Sequence, residues 1–188
     1  MYARRVGDRE LTFDFAEGLI KDNLLIVDRE TRSVWSQLHG QAVIGPLKGT
    51  PLSIVPSLQT TWGFWKKRYP ESQVMILPQE KGKPYVYRNR KPGQKPTEPE
   101  TTHDTSALGL GLSISDEAVF FPFRELEQVT SPLEMRLGGQ TVVVHFVKDG
   151  LTAWAESADG TLLPAVLAYE SGWKDFFPAT KVFDAQSE

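Results

Sequence analysis

The chain contains no cysteine. That excludes disulfides, thiolate catalysis and Cys-ligated zinc within it. Histidine is scarce: there are three, His39, His103 and His145, and none stands in H-x-x-x-H or H-E-x-x-H spacing. No metal site is therefore expected. No apolar run reaches the length of a membrane-spanning helix. The opening, MYARRVGDREL, has no apolar core of the kind a signal peptide needs. Gly111-Leu112-Ser113-Ile114-Ser115 lacks the second glycine of a nucleophile elbow, and Gly109-Leu110-Gly111 has neither the third glycine nor the lysine of a phosphate loop. Basic residues are not in excess, and the net charge of −3 argues against general attraction to nucleic acid or anionic membranes. The compartment stays open, because cytosolic and exported proteins can both lack cysteine.

What is present is a chain of 188 residues, 40% hydrophobic and 24% charged, able to bury one good core or two small ones. Its pattern is mostly that of strands. Leu11, Phe13 and Phe15 alternate on one side of residues 9–16, which predicts a half-buried strand. Leu24–Val27, Ala42–Ile44, Leu52–Val55 and Val74–Leu77 read as further short strands. Trp62, Trp65 and Tyr69 recur at helical spacing before Pro70, predicting a short helix over about 58–69. Later, Leu110–Ile114, Glu117–Phe121 and Thr141–Val147 read as strands. Pro122 opens a helix over 122–128, and a third helix falls at 171–177. Asp149-Gly150 and Asp159-Gly160 both read as hairpin turns, the first into Leu151–Ala155 and the second before Thr161–Leu163. The fold class expected is α+β, strand-dominated, with short helices.

The most informative stretch is DRETRSVWSQLHGQAVIGPLKG, Asp28 to Gly49. Asp28 follows an apolar run and is placed to accept turn N–H groups. Two readings of the stretch stand side by side. One is a three-stranded meander with Gly-rich turns. The other is a polar ligand site made by Asp28, Arg29, Thr31, Ser33, Gln37 and His39 beside Trp35. His145, on the apolar strand Thr141–Val147, reads as a core or edge histidine. With 24 acidic residues some carboxylates will lie close in space, but sequence does not choose the pair.

Residues 78–106 differ from the rest. They hold five of the 13 prolines and almost no aliphatic residues, the composition of a linker or draped loop. Residues 80–95 carry a net charge of +5, which leaves −8 on the remainder. Tyr85 and Tyr87 in that basic segment raise a nucleic-acid reading, but rest against the protein's own acidic body is favoured over it.

Two segments repeat. Trp65-Lys66-Lys67-Arg68-Tyr69-Pro70 and Trp173-Lys174-Asp175-Phe176-Phe177-Pro178 share the form W-K-x-x-aromatic-P, followed by x-S/T-x-V-apolar. A Gly-Thr turn precedes each, at Gly49-Thr50 and Gly160-Thr161. The organisation expected is a first repeat at 1–77, a Pro-rich basic linker at 78–106 and a second repeat at 107–188. Leu108–Val147 has no counterpart ahead of Arg5, so the first repeat is incomplete at its N-terminal side and is expected to leave an open sheet edge. A partner chain or a second copy at that edge is one expectation; a truncated start is another, and a fold that tolerates the loss is the third.

The D-R-x-T-x-S-x-W run at Asp28–Trp35, together with the W-K-x-x-aromatic-P endings, resembles the bacterial and archaeal family called domain of unknown function 3179. The resemblance covers nearly the whole chain and is strongest from Leu24 to Met75; FPFREL and GGQTVVV match other recurring pieces of that family. Members of the family usually carry a Cys-Pro-Leu-Cys-Gly motif upstream, and many look exported; this chain has neither feature. The resemblance implies architecture and assigns no chemistry. Two functions follow as expectations. One is a non-catalytic binding or scaffold module without a cofactor, in which Trp35, Trp62 and the Asp28–Ser33 turn line a groove. The other is a fragment of an exported redox or metal-dependent protein whose paired cysteines lie in a missing N-terminal segment, with Asp28, Arg29 and His39 nearby.

Overall fold

Short alternating segments separated by turn residues pair with their neighbours in sequence, and this governs the first part of the chain. The computed structural model describes residues 1–21, 23–73 and 107–187. A small ribbon of β1 (Arg5–Val6) and β2 (Arg9–Glu10) leads into a four-stranded meander. Its strands are β3 (Phe13–Ile20), β4 (Asn23–Asp28), β5 (Val34–Ser36) and β6 (Gln41–Ile44), in the order β3-β4-β5-β6. One face closes over Leu11, Trp35, Ala42 and Leu52. Removing each larger side chain of this set from water contributes roughly 1.5–3 kcal/mol.

Phe15 departs from the expected pattern. Leu11 is fully buried and Phe13 meets Trp35 edge-on at 5.8 Å, but Phe15 is 77% exposed. The cause is local. β3 is an edge strand, and its register against β4 shifts between Phe15 and Leu19, which carries the end of the strand off the core. The segment Leu52–Val55 forms no full strand either. It makes isolated bridges, Gln41 with Pro51 and Tyr2 with Ile54, and Leu52 still enters the core. Pro51 and Pro56 flank it and have no N–H with which to extend a ladder. A short helix, α1 (Trp62–Arg68), follows, its Thr61 hydroxyl capping the Phe64 N–H.

The second part is built from two sheets packed face to face. One has β9 (Leu133–Leu137), β10 (Gln140–Val147) and β11 (Thr152–Ser157) in the order β11-β10-β9. The other has β7 (Leu108–Ile114), β8 (Glu117–Pro122), β12 (Ala165–Tyr169) and β13 (Lys181–Val182) in the order β12-β7-β8-β13, with β13 parallel to β8. Leu110, Leu112, Phe121, Val142 and Val144 meet between them, closed at one end by Leu126 of α2 (Phe123–Leu126). The run L-G-L-G-L in β7 explains how α3 (Glu170–Phe176) sits. Its leucines face this core, while Gly111 faces the helix and Gly109 the Phe120 ring. A Cβ on Gly111 would lie 2.3 Å from Cε3 of Trp173, so only glycine lets the indole lie flat against the strand.

The helices expected at 58–69 and 122–128 are present in shorter form, and the one expected at 171–177 is present at the same length, one residue earlier. β1, β9 and β12 fall on stretches that the sequence pattern does not mark as strands. Asp149-Gly150 does join an antiparallel pair, but through a 3-10 turn at Lys148–Gly150 that ends on Leu151 with φ 43°. The expected strand Val74–Leu77 and the basic segment 78–106 lie outside the described residues. Among the described residues no helix is long and apolar enough to cross a membrane.

The two parts meet along a polar and aromatic seam. Lys21 donates to the Asp175 carbonyl, and its ammonium stands 5.4 Å from the Phe176 ring. Thr60 Oγ1 and Thr61 N both donate to the Gly150 carbonyl, at 3.0 and 3.1 Å.

Candidate functional site

Asp28 ends β4 and its carboxylate organises the turn that follows. Oδ1 accepts the Thr31 N–H. Oδ2 accepts the Thr31 hydroxyl at 2.9 Å, the Ser33 N–H at 3.1 Å and the Trp35 indole N–H at 2.9 Å. Ser33 Oγ in turn lies 2.7 Å from Thr31 Oγ1 and accepts the Leu47 N–H at 3.0 Å. Asp28, Ser33 and Trp35 have no exposed surface. Burial pushes the Asp28 carboxyl up, but the hydrogen bonds from Trp35, Thr31 and Ser33 together outweigh it and hold it below the ordinary carboxylate range. Arg29 grips Asp14 with two bonds of 2.6 and 2.7 Å, and Glu30 accepts the Thr12 N–H at 2.9 Å. These interactions fasten the turn to the start of β3.

The seven candidate residues thus divide. Asp28, Thr31, Ser33 and Trp35 come together as an internal network, and Arg29 braces its rim. Trp35 is in the core rather than on the wall of a groove, and Trp62 stands half-exposed on α1, in a separate element. His39 packs on Phe176 and Phe177 at ring separations of 5.6 and 6.2 Å. Its pKa is lowered, first by burial and then by the Lys21 ammonium, so it is neutral at pH 7. Gln37 goes elsewhere: its carbonyl accepts the Tyr2 hydroxyl, and the residue lines a cleft between the two parts of the molecule.

This cleft has a volume of about 290 Å³. Asn23, Gln37, Ser57 and Gln59 supply polar side chains to its lining, the Met1 ammonium donates to Ser57 Oγ at 3.1 Å beside them, and Leu163 and Leu167 form part of its apolar lining. Asn23 Oδ1 accepts the Ser36 hydroxyl and the Leu38 N–H, both at 3.2 Å, which leaves its Nδ2 donor without a partner among the described residues. The side-chain amides of Gln37 and Gln59 make no hydrogen bond within the described residues. Past Ser57 and Leu58 the cleft runs into a second hollow of about 610 Å³, walled by Phe64, Trp65, Tyr69 and Trp154. Trp154 borders both.

A family model described as "Protein of unknown function (DUF3179)" matches residues 1–187. The chain belongs to this family. Among curated proteins and among solved structures, nothing matches.

Of the residues that fix Trp154 in this DUF3179 chain, the sequence marks His145 only as a core or edge histidine and does not mark Glu156. Glu156, two residues on along β11, accepts the indole N–H at 2.9 Å through Oε1. His145, directly opposite on β10, stacks behind the indole at 4.7 Å and 3°. His145 Nε2 lies 3.2 Å from Glu156 Oε2, without the alignment a hydrogen bond needs. The i, i+2 spacing of Trp154 and Glu156 is a visible signal of one strand face. The partner across the sheet is visible only once the β10–β11 register is known. Among the described residues no group of three or more His, Asp or Glu side chains is placed to hold a metal ion.

Proposed function

We propose that this DUF3179 chain is a non-catalytic binding module whose ligand seat is the cleft between its two parts. The observation that carries the reading is the pair of unengaged amides, Gln37 and Gln59, facing a cavity that also borders a fixed tryptophan. The cleft combines apolar side chains with placed polar groups, and small-molecule sites are usually concave and of such mixed lining. The polar turn at Asp28 serves the seat indirectly, by holding β4 and β5, from which Asn23 and the chain leading to Gln37 emerge.

On the same reading the walls are two related repeats, 1–77 and 107–188, joined by 78–106. Support comes from the two W-K-x-x-aromatic-P segments. In both, the last aromatic N–H returns to the tryptophan carbonyl, at 2.8 Å for Tyr69 and 2.9 Å for Phe177.

The test is amide mapping by NMR during titration with a library of small polar and aromatic fragments. Shifts should gather on the side-chain amides of Asn23, Gln37 and Gln59 and on the Trp154 indole. Fragments that bind only elsewhere, or none that bind at all, would remove this seat.

A further inference from the structure

The chemistry of the cleft is specific enough to name a ligand class, and the inference rests on the binding-module reading above. We infer that the seat takes a neutral saccharide, with one sugar ring lying on the indole of Trp154 and its hydroxyls meeting Gln37, Gln59 and Asn23.

Three features converge on this class. The first is charge. Glu156 is committed to the Trp154 N–H and lies against His145, and the Arg68 guanidinium rests 5.9 Å from the Tyr69 ring. The polar side chains of the narrower cleft, all from the first part, are amides and hydroxyls, and the one charged group beside them, the Met1 ammonium, is engaged by Ser57 Oγ at 3.1 Å, which matches an uncharged ligand. The second is hydrogen-bond type. A primary amide offers two donors and a carbonyl acceptor side by side, and a ring with vicinal hydroxyls offers the same mixture in return. Gln37 and Gln59 have that capacity open among the described residues, and Asn23 keeps its donor. The third is the platform. The Trp154 ring is held at its nitrogen by Glu156 and from behind by His145, so little freedom is lost when a second flat, C–H-lined face is laid on it. A purely apolar ligand would leave the amides dry and unpaired. An ionic ligand would find no charged side chain in the lining of the narrower cleft.

The probes are cellotetraose, maltotetraose and tetra-N-acetylchitotetraose, each titrated into the full chain with calorimetry and NMR. At least one should bind saturably, shifting the Trp154 indole N–H and the Gln37 and Gln59 amides. Trp154→Ala should weaken that binding by about tenfold or more, and Trp154→Phe, which keeps a ring, by less. Gln59→Ala, at an exposed loop position, should weaken it about three- to tenfold with the fold unchanged. Absence of binding by all three probes up to about 10 mM, a range that reaches Kd values weaker than millimolar, would overturn the saccharide assignment. Tetrasaccharide binding indifferent to both Trp154→Ala and Gln59→Ala would overturn it as well. The seat itself has a separate readout: fragment shifts at Gln37, Gln59 and Trp154 without saccharide binding would sink the ligand class and leave the binding-module reading standing.

Discussion

Trp65 and Trp173 make the same bond in different surroundings. Each indole N–H reaches a hydroxyl seven residues on, Ser72 at 2.8 Å and Thr180 at 2.9 Å. Each ring also meets the aromatic four residues ahead, tilted at 42° and 4.5 Å for Tyr69 and stacked at 4.0 Å for Phe177. Trp173 is 2% exposed, whereas α1 buries none of its residues. The local motif is therefore self-sufficient, and its energetic weight depends on what lies beneath it.

That difference is measurable. Thr180→Ala leaves a buried donor without its partner and should cost about 1–3 kcal/mol. Ser72→Ala leaves the Trp65 N–H within reach of water and should cost about 0.5 kcal/mol. Urea unfolding of the two variants compares them directly, and equal losses would contradict the account.

Two glycines should respond in opposite directions. Gly111→Ala drives a methyl group into the Trp173 ring and should destabilise the protein by about 1–3 kcal/mol, as overpacked cores do. Gly63, inside α1, has open space around its would-be Cβ. Gly63→Ala should therefore stabilise the protein by roughly 0.5–1 kcal/mol through helix propensity. Thermal midpoints that move the same way in both variants would show that the contact with Trp173 is not what constrains position 111.

Asp28 should make the protein sensitive to acid. Its folded pKa is depressed, so the carboxylate's contribution is present above its ordinary pKa and is lost as pH falls through the lower folded value. The window lies below about pH 4. Asp28→Asn keeps the shape but not the charge, and its stability should fall less steeply than the parent's across that window. Equilibrium unfolding at a series of pH values is the check. An unchanged acid slope would mean that other carboxylates, such as Asp14 and Glu30, which are also held low, carry the dependence.

Local chemistry was legible before the fold was. The turn at Asp28, the short helices before Pro70 and Pro178, and the strand Thr141–Val147 follow from residue types and period alone. Polarity in the D-R-x-T-x-S-x-W run was readable too, but not its direction. Hydroxyls and a carboxylate that look like a ligand site can equally satisfy one another, and here the Trp35 N–H draws them inward. β9 was missed although Leu133, Met135 and Leu137 alternate, because charged Glu134 and Arg136 and the nearby Pro132 obscure a short strand. The cleft was not legible at all. Gln59 and Trp154 are far apart in sequence, and only the packing of the two parts brings them to one cavity.

The close seat of Trp173 on Gly111 has an evolutionary consequence. Neither position can drift alone: a side chain at 111 expels the indole, and loss of the indole removes the reason for glycine. In a set of related sequences the two sites should therefore change as a pair or not at all. Because Gly111 lies on β7 and Trp173 on α3, that coupling would mark the helix-on-strand junction in any relative whose remaining sequence has diverged beyond easy alignment.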